Sequence, residues 1–306
     1  MSKYNITCAG KNCITSSVNL LFKSNNYIIS EYELLTSNTL LNLSCNVEND
    51  TFFSDIFSMI KKSLSYRNIS LNKINRSCVN SFLQNNIPIL LNININALNY
   101  FKVPGKERIS NDNFHFIIIS GQSGDLYHIH DSYIPSIPAS TFNGWIKLDE
   151  KALYDSTAYV LNFDYYKKLD FKLIENNMYL SLENTVKIQN NNIIFSNFIH
   201  HLNYIRNIHD ISIKKNYLFN ALGEVNFGGT HLTREFLYKF LSKNKLISDI
   251  NVSNLSNLNN MYHSLRMLFL KSYVTCKCTD IQNSIEAIKK IQYTENELFN
   301  KLLNDI

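Results

Sequence analysis

A chain of 306 residues is long enough for one large domain or two modest ones with real hydrophobic cores. With 45% apolar and 18% charged residues it has globular composition, which argues against disorder; its Asn excess is scattered between apolar positions rather than gathered into a prion-like tract. A net charge of +5 without any long block of basic residues gives nucleic-acid binding little support and suits a small acidic partner equally well.

The start, Met1-Ser2-Lys3-Tyr4-Asn5, leads directly to Cys8 and Cys13 with no apolar signal segment. A cytoplasmic protein is expected, with its six cysteines free rather than joined in a disulfide framework. Cys13 to Phe22 reads as a helix, with apolar residues at 14, 18, 21 and 22 and Asn12 as its N-cap, so Cys13 falls in the first turn. Further helices are expected over Glu31–Leu41, capped by Ser30, and over Phe53–Leu64 and Ile74–Asn85.

The pattern then changes to strands. Pro88-Ile89-Leu90-Leu91-Asn92-Ile93 is a compact apolar run after a turn signal. Its extension, Ile87 to Ile95, is the longest apolar stretch, broken by Asn92 and Asn94 and far short of the roughly 20 residues of a membrane span. Asn113 to Gly121 is a second, β-branched strand, Gln122-Ser123-Gly124-Asp125 a tight turn, and Leu126 to Ser132 a third strand pairing back as a hairpin. Beyond residue 150 the reading is mostly helical, over Phe195–Ile208, Leu232–Ser242 (after Gly228-Gly229, with Thr230 as cap), Asn257–Tyr273 and Asp280–Leu303. Helices followed by a strand cluster predict an α+β domain over residues 1–150 and a mostly helical region over 151–306.

The chemistry centres on Cys13. A thiol attacks well only as thiolate, and a helix N-terminus with a nearby imidazolium favours that form. His115 opens one strand and Asp131 closes the strand hairpinned to it, at similar distances from the turn, so the carboxylate can orient the imidazole. Cysteine at a helix start, histidine on a strand about 100 residues later and an acid on the next strand is the papain-like order. Asn12-Cys13-Ile14-Thr15-Ser16-Ser17, the strand after Pro88, Phe114 to Gly121 and His130-Asp131-Ser132 resemble the N-terminal domain of the butirosin-biosynthesis amide-forming acyltransferases, relatives of the C39-type cysteine peptidases. Gly228-Gly229-Thr230-His231-Leu232-Thr233-Arg234 and the residues after it resemble their helical C-terminal region.

The resemblance implies a papain-like fold with Cys13, His115 and Asp131 as catalytic triad. It implies that the cysteine takes an acyl group from the thioester of an acidic acyl carrier protein and passes it to a small-molecule amine. The setting it implies is natural-product assembly, polythioamide antibiotics included, with the helical region binding substrate or carrier. No cofactor or metal is expected beyond the carrier's phosphopantetheine arm. One departure weakens a peptidase reading: papain-like peptidases carry an oxyanion glutamine six residues before the nucleophile, and Thr7 stands there. A cysteine peptidase or amidase of the same fold, and a non-catalytic carrier-binding module, remain the alternatives.

Blander readings compete at each position. A cysteine at a helix start is structural in most proteins, and Cys8 is a nearby rival that precedes the helix. Cys276-Lys277-Cys278 lacks the second pair of a zinc site. His128 and His130 share one strand face, with Asp131 on the other, and further metal ligands at suitable spacing are missing. His200, His201, His231 and His263 read as surface or core histidines. Arg234 and His231 suit capping or packing better than contact with an acyl acceptor.

Overall fold

A computed structural model describes residues 9–35, 56–102, 114–134, 139–188, 190–223, 225 and 230–305. The chain divides into two compact units, one whose described residues fall within Met1–Leu34 and Ile60–Lys168, the other within Leu35–Met59 and Leu169–Ile306.

The first unit is built on a six-stranded, wholly antiparallel sheet of order β1-β6-β2-β3-β4-β5. Its strands are β1 (Ser70–Ile74), β2 (Ile89–Asn94), β3 (Phe114–Ser123), β4 (Leu126–Ile134), β5 (Ser140–Lys147) and β6 (Thr157–Asn162). β2, β3 and β4 are the three strands that the apolar runs predict. β3 extends to Ser123, so the reversal is narrower than the expected four-residue turn, with Gly124 at φ +57°, a left-handed conformation that a side chain resists.

Two expectations are corrected here. The helix read over Ile74–Asn85 is instead the end of β1, a single turn at Arg76–Cys78 and a short helix α4 (Val79–Gln84). β1 is an edge strand with no buried residue, so it owes its conformation to pairing with β6 rather than to an apolar signal of its own. The first unit continues past residue 150: α5 (Glu150–Asp155) is followed by β6, which inserts between β1 and β2 and buries Ala158 and Val160.

The core of this unit covers one face of the sheet. Ile89, Leu91 and Ile93 of β2 stand beside Ile117 and Ile119 of β3 and Ile129 of β4, and α4 adds Val79 and Leu83. The opposite face, which carries Leu90, Ile118, His130 and Ser132, receives α1 (Cys13–Ser24). α2 (Glu31–Leu34) opens with a cap in which the Ser30 amide and hydroxyl both donate to the Glu33 carboxylate, at 2.7 and 2.5 Å. Residues 36–41 of the helix expected over 31–41 lie outside the described residues, as do 53–55 of the one expected over 53–64, which is α3 (Ile56–Tyr66).

The second unit is helical, with α6 (Phe171–Ile188), α7 (Asn190–Asn207), α8 (Ile211–Gly223), α9 (Thr230–Lys243), α10 (Asp249–Thr275) and α11 (Cys278–Asp305). α10 and α11 form a long hairpin whose turn places Cys276 in the left-handed region at φ 54°. α11 buries Ile281, Ile285, Ile288, Ile291, Leu298 and Leu302, the apolar stripe that its sequence spells out. Among the described residues, no helix is long and apolar enough to cross a membrane.

Candidate active site

Asn12 fixes the position of Cys13. Its side chain accepts from the amides of Ile14 at 2.9 Å and Thr15 at 3.4 Å, so α1 begins at Cys13 as its sequence predicts. The helix approaches the sheet closely because Thr15, Ser16 and Ser17 are small. Ser132 of β4 donates to the Ser16 hydroxyl at 2.9 Å, and Ser17 donates to the Phe116 carbonyl of β3 at 3.3 Å. Gly10 completes the anchorage: its amide donates to the Ser132 carbonyl at 2.8 Å, and a Cβ there would stand 2.2 Å from that of Ser16. The Glu31 carboxylate accepts from the Lys11 amide at 3.1 Å and the Thr15 hydroxyl at 2.8 Å, bracing the turn into the helix. Burial raises the Glu31 pKa despite those two donors.

The β3–β4 register pairs Ile118 with His130 and Ile119 with Ile129, which sets His115 and Asp131 diagonally across on the core face. His115 Nε2 lies 2.8 Å from Asp131 Oδ2, and both side chains are buried, at 4% and 0% exposure. Asp131 also accepts from the Tyr100 hydroxyl on Oδ2 at 3.1 Å and from the Tyr133 amide on Oδ1 at 3.1 Å. The ring of Phe101 meets His115 edge-on at 4.9 Å. Nε2 is held by Asp131, and the half-buried Cys13 at the start of α1 is close enough to the imidazole to favour its charged form.

Burial disfavours a charged imidazole here. The Asp131 carboxylate and then Cys13 outweigh it, and the His115 pKa is raised to about 10. Desolvation and the neighbouring carboxylate push the Tyr100 phenol far up, so it stays a hydrogen-bond donor.

No protein-family model matches this chain, and no curated protein matches it. Its site is therefore read from its own residues.

The other sequence candidates are placed as follows. His128 and His130 share the face opposite Asp131, with rings 4.6 Å apart, and both approach the Ser120 hydroxyl, at 3.2 and 2.7 Å. Burial, and then His128, lower the His130 pKa to about 4, so it is neutral at pH 7. Among the described residues no group of three or more His, Cys, Asp or Glu could hold a metal ion. Cys276 ends α10, while Cys278 opens α11 and donates to the Arg206 carbonyl at 3.4 Å.

Arg234 is fully buried and ion-paired with Glu295, which also accepts from the Tyr262 hydroxyl at 2.7 Å, and His231 packs edge-on against Tyr262. His201 packs with Tyr204 and Tyr217. Thr7, Cys8, Gly228 and Gly229 lie outside the described residues; Thr230, expected as a cap, is the first residue of α9.

Sequence reasoning missed Tyr100, Phe101, Phe142 and Glu31. They are ordinary aromatic and acidic residues on loops, an edge strand and a short helix, and only the packing brings them to the site.

Proposed function

We propose that this chain is a cysteine-dependent acyltransferase with a papain-like catalytic domain, moving an acyl group from a carrier-protein thioester through Cys13 to an amine. The observation that carries the reading is one imidazole held on Nε2 by a buried carboxylate at 2.8 Å, with the thiol of a helix's first residue near enough to act on its charge. A pKa near 10 keeps His115 charged in the resting state, where an imidazolium and the helix N-terminus both favour a thiolate. Among alternatives for such a buried, directed charge, nucleophilic catalysis uses every member of the arrangement.

In the resting pair the Cys13 proton already sits on His115, and the Cys13 thiolate attacks the thioester carbonyl. The carrier thiolate leaves, taking the proton from His115, and an acyl-enzyme remains. The amine then attacks the acyl carbon while His115 accepts its proton; collapse expels the Cys13 sulfur and releases the amide. Asp131 orients the imidazole throughout. Carrier thioester and amine are what the sequence resemblance adds to this chemistry, as is the assignment of the helical second unit to substrate or carrier binding. The positive net charge suits an acidic carrier. An amide is far more stable than the thioester consumed, so no other energy source is needed.

The test is an acyl trap. Protein mixed with acyl-carrier but no amine is expected to gain one acyl mass on the Cys13 peptide, absent in Cys13→Ala. Added amine should discharge it faster than water does, with amide appearing at the same rate. Peptide cleavage without acyl capture would make the chain a peptidase, and carrier binding without either would make it a binding module.

A further inference from the structure

Asp131 receives more donors than its pairing with His115 requires, and their origin is specific. β4 lies between β3 and β5, and the register sets Phe142 of β5 directly opposite Asp131. Tyr100, on the segment after β2, lies flat on Phe142, with ring centroids 3.9 Å apart and planes within 3°. From that stack its hydroxyl donates to Oδ2, the oxygen that His115 also uses. Phe101, the next residue, packs on the His115 ring. Two consecutive residues therefore hold the acid and the imidazole. Packing alone would be met by phenylalanine at 100, which brings no polar atom into a half-buried position beside a buried charge.

We propose that Tyr100 is a positioning residue of this site: held by the Phe142 stack, its hydroxyl aims the Asp131 carboxylate at His115 Nε2 and takes up part of its charge. Among the described residues, the titratable groups around the imidazole are Cys13 from α1, Asp131 from β4 and, acting through Asp131, Tyr100. A second donor on the shared oxygen weakens the carboxylate's hold on the imidazolium proton, so that His115 can release it to a leaving group. The catalytic consequence rests on the acyl-transfer reading, but the effect on His115 does not.

Tyr100→Phe keeps the ring and the stack and removes only the hydroxyl. Two readouts follow the imidazole: its NMR titration, and the pH dependence of Cys13 alkylation by iodoacetamide. With the whole carboxylate charge falling on the imidazolium, the His115 pKa is expected to rise by about half a unit to one unit. The upper step of the alkylation profile should move up with it. Phe142→Leu, which leaves the hydroxyl but loosens its support, should shift His115 in the same direction by less, and it carries the test if Tyr100→Phe does not fold. A His115 titration unmoved or lowered in the folded variant overturns the proposal, even if alkylation slows. A raised pKa in a protein that never captures an acyl group would leave the positioning role standing and remove only the acyl-transfer reading.

Discussion

The first unit buries His115 beside Asp131, and the second buries Arg234 beside Glu295. Both pairs lie almost wholly out of water, and each carboxylate also takes a tyrosine hydroxyl, from Tyr100 in one case and Tyr262 in the other. They differ in what lies at the far end. The Arg234 guanidinium is closed off, fully buried over the Phe299 ring at 5.2 Å. The His115 imidazole can gain and lose a proton, and its free side meets a half-buried thiol at a helix start. A buried ion pair alone is therefore no mark of a site; a titratable member next to an accessible nucleophile is.

The comparison can be broken in several ways, the largest effect first. Folded Cys13→Ala should lose acyl capture entirely, while Arg234→Ala should leave the labelling of Cys13 unchanged in whatever fraction stays folded. Arg234→Ala should instead unfold more readily, by about 3–5 kcal/mol, because it strands the Glu295 charge; denaturant titration checks this. His115→Ala should slow Cys13 alkylation at pH 7 by roughly thirtyfold if the wild-type thiol reacts as a full thiolate, since an ordinary thiol with a pKa near 8.5 is ionised only to that extent.

Asp131→Asn removes the carboxylate that holds the imidazolium, so burial prevails and the His115 pKa should fall from about 10 toward or below 6.5. The same raised pKa makes a stability prediction. A histidine more basic when folded than when unfolded contributes in full below about 6.5, and that contribution is lost as pH rises through about 10. Wild-type unfolding midpoints should fall across that window more than those of Asp131→Asn. The smallest effect is on docking: kcat/KM for an acyl-carrier substrate should drop as salt shortens screening to about 8 Å.

Much of the candidate site is legible in the sequence because it rests on short-range rules. Asn12 before an apolar helical repeat fixes where α1 begins, and Gly124-Asp125 between two apolar runs fixes a hairpin that brings positions 115 and 131 together. The alternation of faces also separates His128 and His130 from Asp131, as the period of a strand requires. What could not be read depends on distant pairing. β1 and β6 are neighbours although more than eighty residues apart in sequence, and β1 has no buried residue to announce it. Tyr100 reaches Asp131 only because β5 supplies Phe142 on the same face, and no local pattern in Leu98-Asn99-Tyr100-Phe101 signals that.

One measurement tests the central claim within a single molecule. Cys13 is half-buried, whereas Cys78 and Cys278 are exposed, so accessibility and activation predict opposite orders of reaction. Limiting iodoacetamide at pH 6, with the alkylated peptides resolved by mass spectrometry over time, ranks the thiols directly. Cys13 is expected to be modified first, and His115→Ala to move it behind Cys78 and Cys278. Cys78 and Cys278 reacting ahead of Cys13 in the wild-type protein would contradict that claim.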